Sequence, residues 1–397
     1  MPGSNVYKLS ALVAVHTLLL LFFTSELSIS YYEANIFYHE TSLLHYIVSF
    51  STYLLGENDL ALRLPMIIMH FFGAFLYYDI SQSLFKKQSD KLWNLLIYLL
   101  LPGINSAGIM VDGAGLVLFL LLFFLFVYKH KKYLAYCLLP LYVFIDASFA
   151  FMYLGFIFYA MDKRDTKLLF ASIFLFGVSM YLFGIEIGGH PKNHFLNTLG
   201  IYGAIFSPIV FVYFIYTLYR WGVKEERTLL WYLGATAFLF SMLLSFRQQM
   251  KLEELAPYII IATPIMVKTF LSSYRIRLRE FRKQYRVLLI VGISVLALST
   301  LSIFLNKCLY LFISNPTKHF VYKNHIAKEL SVALKKLDIN EVITRSERLQ
   351  LRLKFYGIEK GYGINLSTKK PSLKKKDVTI SYMGVKVAKY YVTKLYK

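Results

Sequence analysis

Long apolar stretches separated by short polar segments run through the first three quarters of the chain. Each stretch has roughly 17 to 25 residues, the length at which a helix crosses the hydrocarbon core of a bilayer. We count about eleven such stretches, and the pattern predicts an α-helical polytopic membrane domain over residues 1–313. Their centres lie near residues 16, 73, 98, 120, 139, 154, 175, 210, 236, 264 and 296.

The remaining segment, residues 314–397, follows different periodicities. "HIAKELSVALKKL" and "SERLQLRLKFYGI" space their apolar residues as helices do, and Ser346 is a candidate cap of the second helix. "EVITR", "DVTISYM" and "VAKYYVTKLY" have the alternation of strands, and "STKKPSLKKK" is predicted to be a loop. We therefore expect a small soluble α/β domain, which is basic because it contains 19 Lys and Arg against six Asp and Glu.

Composition agrees with a membrane protein. The chain of 397 residues is 57% hydrophobic and 17% aromatic, with a mean hydropathy of +0.51, which excludes an ordinary soluble protein of this size. Lys8 precedes the first apolar stretch, and no small-residue cleavage site follows it, so we expect an uncleaved first span.

Charge is distributed asymmetrically between alternate loops. With a cytoplasmic N-terminus, every predicted cytoplasmic loop is short and basic, as the positive-inside rule requires. These loops are "KKQSDK", "KHKK", "DKRDTK", "RWGVKEER" and "YRIRLREFRKQYR". The net charge of +21 is therefore largely a topology signal and does not indicate nucleic-acid binding. An odd number of spans places the C-terminal domain outside, where its basic surface either contacts anionic headgroups or lipid-linked phosphates, or is simply solvated.

Cysteine and histidine spacing identifies no metal or disulfide framework. The chain has two cysteines, and the two histidines of "HETSLLH" are six positions apart instead of the four that a zinc-protease helix needs. "GGHPKNH" contains His190 and His194, but its Gly and Pro are typical of a plain loop. We predict no certain cofactor and no metal ligand, and dependence on a divalent metal stays open. The chain contains no ATP-binding P-loop motif.

Ionisable residues gather at the predicted outside ends of the spans. Glu33 and Glu40 lie in the loop 26–62, whose apolar spacing predicts interfacial helices, and Asp112 heads the fourth predicted span. Charge near the hydrocarbon is costly, so these groups are candidates for a site. The alternative is structural: a solvated acid at a span end for Glu33, and a helix N-cap for Asp112.

The order of these segments resembles that of type C glycosyltransferases of the protein O-mannosyltransferase and lipid A aminoarabinose transferase superfamily. "YYEANIFY" followed by "LLHYIVSFSTYLLGENDLALRLP" is similar to the family's first outside loop, with matches at Gly56 and at Arg63 to Pro65. "AGIMVDGAGLVLFLLLFFLF" resembles its second acidic position, and "FRQQMKLEELAPYIIIATPIMV" resembles its late loop. The resemblance covers most of residues 8–272 and implies a soluble C-terminal domain outside.

One position departs from the family pattern. The family has an Asp-Glu pair where this chain has Tyr32 and Glu33, and the first acid of the pair is the usual base. Either Glu33 has taken over that role, assisted by Asp112 or Glu40, or activity has been lost.

The resemblance implies transfer of a sugar from a polyprenyl-phosphate carrier to a lipid A, glycan or protein acceptor, with inversion. A carboxylate removes the acceptor proton while an oxocarbenium-like centre forms, and cations stabilise the departing phosphate. We predict Glu33 as the base and Asp112 as the second acid. The predicted ligands of the donor phosphate are Arg63, Arg247, Lys251 and Tyr258. Secondary candidates are Tyr32, Glu40 and His190.

Two other functional classes stay open. A lipid-linked sugar flippase or transporter fits the many spans, although the two halves show no convincing internal repeat. A catalytically inactive envelope-assembly protein fits the departure at Tyr32. In each case we expect membrane lipids as partners and a multi-pass protein with a cytoplasmic N-terminus and a periplasmic or otherwise extracytoplasmic C-terminal domain. The compact loops favour a bacterial inner membrane, and a eukaryotic secretory membrane is the alternative.

Overall fold

The protein consists of two compact units. A computed structural model describes residues 3–184, 194–249, 251–278, 280–369 and 376–394. The first unit contains Met1–Leu18, Ile68–Gly108 and Asp112–Thr300. The second unit contains Leu19–Ile67, Ile109–Val111 and Leu301–Lys397. The predicted domain boundary after residue 313 therefore falls inside the second unit.

The described residues up to 304 are almost entirely helical. The helices are α1 (Gly3–Ser25), α2 (Tyr31–His39), α3 (Leu43–Leu55), α4 (Asp59–Ser81), α5 (Gln88–Leu99), α6 (Pro102–Ile109), α7 (Gly113–His130), α8 (Lys132–Tyr142), α9 (Phe149–Lys163), α10 (Thr166–Phe183), α11 (His194–Phe206), α12 (Pro208–Lys224), α13 (Leu229–Ser245), α14 (Leu252–Ile260), α15 (Thr263–Ile276) and α16 (Arg282–Phe304). The loop 26–62, in which interfacial helices were expected, contains the helices α2 and α3.

The described helices do not confirm the predicted number of spans. Six described helical segments are long and apolar enough to cross a membrane, or eight if each of two bent helix pairs forms one span. The bent pairs are α5 with α6, at 60°, and α11 with α12, at 104°. Every predicted centre lies within a helix, but α8 has 11 residues and α9 has 15. At about 1.5 Å per residue, neither crosses a bilayer core unaided, so the count of eleven is not confirmed.

Close helix packing holds the first unit together. Its buried core runs through α7, α9, α13 and α14. A Cβ added to Gly234 in α13 would lie 2.6 Å from the Cβ of Ala262, which follows α14. Small residues allow such close approach between helices in a membrane, where apolar burial alone gives little driving force.

A four-stranded sheet forms the centre of the second unit. The C-terminal elements are α17 (Ala327–Lys335), β1 (Glu341–Thr344), α18 (Glu347–Phe355), β2 (Glu359–Ser367), β3 (Lys376–Tyr382) and β4 (Val385–Lys394). The strand order is β1-β2-β4-β3, with β1 and β2 parallel and the other neighbours antiparallel. Helix α18 connects the two parallel strands and also packs on α2.

The predicted elements of the C-terminal segment are confirmed, with one omission. Both predicted helices and all three predicted strands are present, and the Ser346 hydroxyl caps α18 by accepting from Leu349 N–H at 3.3 Å. Strand β2 was missed because Gly361 and Gly363 weaken its strand pattern. A Cβ at Gly361 would lie 2.6 Å from the Cβ of Glu341, so the pairing with β1 needs this glycine. Most of the predicted loop "STKKPSLKKK" lies outside the described residues.

Candidate functional site

Helix α2 begins at a reciprocal cap that also fixes the Glu33 side chain. The Ser30 hydroxyl accepts from Glu33 N–H at 3.1 Å, and Glu33 Oε2 accepts from Ser30 N–H at 2.8 Å. This capping box satisfies two backbone donors that the first turn leaves without helical partners. The local sequence "SYYE" therefore both starts the helix and orients the carboxylate.

Glu33 and Arg63 form a buried bidentate ion pair. Arg63 Nε donates to Glu33 Oε1 and Nη2 donates to Oε2, each at 2.7 Å. The side chain of Arg63 is 0% exposed and that of Glu33 is 1% exposed. The planar guanidinium matches the two carboxylate oxygens, which makes this one of the stronger pairings available to a protein.

The remaining donors of Arg63 bind the backbone at the end of α1. Nη1 donates to Leu27 O at 2.9 Å and to Thr24 O at 3.3 Å, and Nη2 donates to Ser28 O at 3.0 Å. All five N–H groups of the guanidinium are therefore used inside the second unit. In this conformation Arg63 has no N–H left for a donor phosphate.

The carboxylate of Glu33 is equally saturated. Besides Arg63 and Ser30, Oε1 accepts from Val111 N–H at 3.1 Å, which gives four hydrogen bonds on two oxygens. Burial alone would raise the pKa of the Glu33 carboxyl, but the charge of Arg63 and these hydrogen bonds outweigh it and lower the pKa. A carboxylate held in this way is a weak proton acceptor.

Asp112 directly follows Val111 and begins α7. Its side chain is half-buried, and Oδ1 accepts from Gly115 N–H at 3.2 Å, so the residue is the N-cap of the helix. The N-cap interpretation of the sequence is therefore correct. An N-cap carboxylate can also act on a ligand, so the two roles are compatible.

The late-loop candidates belong to the first unit, as Asp112 does. Arg247 is exposed beyond the end of α13. Lys251 precedes α14, is 81% exposed, and lies 3.9 Å from a Glu254 carboxylate oxygen. Tyr258 is fully buried within α14. Of the predicted site residues, the second unit thus brings Glu33 and Arg63 together.

The secondary candidates occupy different settings. Tyr32 is 61% exposed in α2. Glu40 caps the end of α2 and accepts from Asn35 Nδ2 at 3.3 Å and from the Ser42 hydroxyl at 3.4 Å. His190 lies outside the described residues. No group of three or more His, Cys, Asp or Glu within the described ranges is arranged to hold a metal ion.

The first loop is also tied to the C-terminal elements by residues that the sequence analysis did not identify. The Tyr356 hydroxyl accepts from Ile29 N–H at 2.8 Å and donates to Asp59 Oδ1 at 2.5 Å, and Arg352 Nε donates to Ile29 O at 2.7 Å. The sequence contains one indication of these contacts. Arg352 shares a helical face with Leu349, and a cation on an apolar face of a helix indicates a buried hydrogen-bonding partner.

Comparison with known proteins identifies a fold relative. No protein-family model matches the chain, and no curated protein matches it in sequence. The chain is similar in structure to the crystal structure of ArnT from Cupriavidus metallidurans in the apo state, with a TM-score of 0.58 and 10% sequence identity. The alignment covers 99% of this chain and 98% of that chain. The chain therefore has an ArnT-like fold over its whole length, including the C-terminal sheet.

Proposed function

We propose that this chain is an integral membrane glycosyltransferase. It moves a sugar from a polyprenyl-phosphate carrier to a lipid A, glycan or protein acceptor, with inversion at the transferred carbon. The ArnT-like fold supports this class, because ArnT is a lipid A aminoarabinose transferase of the type C glycosyltransferases. The sequence resemblance, which depends on short segments of the chain, points to the same class.

One observation carries the proposal. The hydrogen bonds of Glu33 to Arg63 and to Val111 join three of the segments that resemble the family: "YYEANIFY", "LRLP" and "MVDG". Segments that were matched separately in sequence are therefore linked in the fold by specific polar contacts. A chance resemblance of short motifs would not require such contacts.

We assign Glu33 and Arg63 a positioning role. Each has all its hydrogen-bonding capacity committed within the second unit, so the pair holds the first loop and the segment at Val111 in place. This assignment replaces the roles of base and phosphate ligand that the sequence favoured. Breaking such a pair would leave an uncompensated buried charge, which costs about 3 to 5 kcal/mol.

Asp112 is the general base in this proposal. It stands next to Val111, whose N–H is fixed by Glu33, and its own backbone is fixed as the N-cap of α7. A base must be held at a defined position relative to the acceptor hydroxyl, and these two contacts supply that rigidity.

The exposed cations Arg247 and Lys251 bind the donor phosphate in this proposal. Both are on the polar segment between α13 and α14, where they neutralise the charge that develops as the phosphate leaves. Tyr258 is buried in the described conformation, so it takes part only if α14 moves.

The proposed setting is a bacterial inner membrane, with the N-terminus in the cytoplasm and the C-terminal domain on the periplasmic side. The short basic loops support this orientation through the positive-inside rule, and the ArnT-like fold supports the bacterial envelope. A lipid-linked donor and an acceptor outside the cytoplasm would then meet on the same side of the membrane.

The proposal is tested with purified protein in detergent and a radiolabelled polyprenyl-phosphate sugar. We expect label to pass to an added acceptor and the free carrier to be released in equal amount. In liposomes, movement of the intact donor between leaflets without release of the carrier would instead identify a flippase. Absence of both activities across lipid A, glycan and peptide acceptors would favour an assembly protein.

A further inference from the structure

A cavity of about 380 Å³ lies inside the second unit, where β1 and β2 end. Because these strands are parallel, their carboxyl ends lie at the same edge of the sheet, the usual position of ligand sites in α/β folds. Thr344 and Arg345 come from the end of β1, and Ser367 to Lys369 come from the end of β2. Helix α18 and the start of α2 form the other walls. We call this the strand-end cavity.

The wall of the strand-end cavity is strongly cationic. Four cations line it, and none of the described residues in the wall is an Asp or Glu. A concave surface with one sign of charge concentrates ions of the opposite sign. The four cations are Arg345, Arg348, Arg352 and Lys369.

Arg352 is the most buried of these cations, and among the described residues no carboxylate forms an ion pair with it, although the charge of Glu33 is near enough to act on it. Its side chain is 8% exposed and donates to Ile29 O at 2.7 Å, to the Ser28 hydroxyl at 3.0 Å and to His325 O. All three acceptors are neutral, and Nη1 has no protein acceptor within the described part of the chain. Burial of a charge is costly unless another charge compensates it, so an anion in the cavity would be strongly favoured.

Hydroxyl groups supply further donors at both strand ends. The Thr344 hydroxyl accepts from Ser346 N–H at 3.2 Å, and the Ser367 hydroxyl accepts from Lys369 N–H at 3.1 Å. These bonds order the two turns. Each hydroxyl keeps its own O–H as a donor, and both line the cavity.

Four tyrosines line the cavity and make it larger and less polar than a bare phosphate site needs: Tyr31, Tyr32, Tyr322 and Tyr390. Tyr31 and Tyr32 line one side, and the guanidinium of Arg348 lies over the Tyr31 ring, 5.2 Å from its centroid. Aromatic faces suit the apolar faces of sugar rings, and the volume exceeds what a phosphate alone would fill.

We propose that the strand-end cavity binds the phosphate monoester of a phosphorylated saccharide. Arg345, Arg348 and Arg352 bind the phosphate oxygens, for which the fork of the guanidinium is suited, and the tyrosines contact the sugar. The saccharide is either free or the headgroup of a glycolipid, since both present the same chemistry. The proposal does not depend on glycosyl transfer, because it concerns binding without a donor.

The test is isothermal titration of the full-length protein in a neutral detergent. Glucose 1-phosphate is the soluble probe, a diacylated glucosamine 1-phosphate in the micelles is the lipid probe, and glucose is the neutral comparison. We expect either phosphorylated probe, but not glucose, to bind, and the affinity to fall as salt is added. Tighter binding of the lipid probe would identify a glycolipid headgroup, and equal binding would identify the phosphosaccharide alone.

Exposed residues are altered first, so that the fold is retained. The double variant Arg345→Gln/Arg348→Gln should bind the preferred probe at least tenfold more weakly, and Lys369→Gln should show a smaller loss. The matched control Lys360→Gln removes an exposed cation near the start of β2, away from the cavity, and should bind as the unaltered protein does. Equal affinity in the double variant and the control would overturn the proposal, and so would the absence of phosphate-dependent binding.

Discussion

Arg63 and Glu33 are 30 positions apart in the chain and form a fully buried bidentate ion pair in the second unit. All five N–H groups of the arginine and both oxygens of the carboxylate are occupied by protein partners. The pair therefore fastens the end of α1, the start of α2 and the start of α4 to one another. The pair acts directly on the stability of the second unit, and it affects the proposed chemistry only by holding these segments in place.

Glu33→Gln should destabilise the protein strongly. The neutral amide removes the paired counter-charge of the buried Arg63 guanidinium, which costs about 3 to 5 kcal/mol. Thermal unfolding of the purified protein in detergent measures this loss as a lower midpoint. The double variant Glu33→Gln/Arg63→Gln should recover part of it, because it removes the uncompensated charge.

Glu40→Gln is the matched control for this prediction. Glu40 lies in the same loop, and its carboxylate accepts only longer hydrogen bonds, at 3.3 and 3.4 Å. We expect a change of at most about 1 kcal/mol, as for ordinary partly exposed polar contacts. Equal unfolding midpoints for the Glu33 and Glu40 variants would show that the buried pair does not stabilise the second unit.

His325 should make stability depend on pH in the acid range. It is 1% exposed and bonded to Tyr310 OH at 2.8 Å and Asn306 Oδ1 at 2.9 Å. Burial, with the nearby His319, Lys307 and Arg352, lowers the pKa of His325 to about 3. In the unfolded chain the pKa of this histidine is near 6.5, so as the pH falls the unfolded chain binds the proton before the folded protein does.

The stabilising contribution of neutral His325 is therefore complete above about pH 6.5 and is lost as the pH falls toward 3. The slope approaches about 1.4 kcal/mol per pH unit within that window. His325→Gln should flatten the profile of the unfolding midpoint, measured between pH 4 and 7, relative to the unaltered protein. The exposed His39 provides the control His39→Gln, which should keep the original slope. A slope unchanged by His325→Gln would contradict a buried neutral imidazole.

Gly234→Ala should destabilise the first unit. The added methyl would lie 2.6 Å from the Cβ of Ala262, so the helices must separate. Overpacking of this kind costs about 1 to 3 kcal/mol. Gly177→Ala in α10 is the matched control, because its Cβ would meet nothing within 4 Å, and alanine is the better helix former by about 0.5 to 1 kcal/mol. Opposite signs for the two changes in unfolding midpoint are expected, and equal signs would contradict the packing described for α13.

The sequence predicted local elements well wherever the pattern of one segment was sufficient. The helices of the loop 26–62, the Ser346 cap and the strands β1, β3 and β4 follow from periodicity and capping alone. The number of spans did not follow, because apolar composition does not distinguish a helix of 11 residues such as α8 from a full crossing. Strand β2 depends on its two neighbours for its conformation, and two glycines hide it in the sequence.

Prediction of the site was limited for a different reason. The positions of Glu33 and Arg63 at span ends identified both as candidate site residues, and the fold brings them together. Their saturation by backbone groups of Leu27, Ser28 and Val111 could not be read from the sequence, because it arises from contacts between distant segments. The contacts of Arg352 are of the same kind, since two of its neutral acceptors, Ile29 O and the Ser28 hydroxyl, come from the first loop.

The most direct test of the proposed function is the release of the carrier by an Asp112→Asn variant, followed by ³¹P NMR. Transfer converts the phosphodiester of the polyprenyl-phosphate sugar into a phosphomonoester, and the two have distinct signals. Asparagine is as good an N-cap as aspartate, so the variant should keep its unfolding midpoint while losing the base.

We expect acceptor-dependent release by the unaltered protein and a rate reduced by about 10² to 10⁴ in the variant. Release at an undiminished rate by Asp112→Asn would contradict the assignment of the base. The absence of any release by the unaltered protein, with every acceptor tried, would contradict the transferase itself.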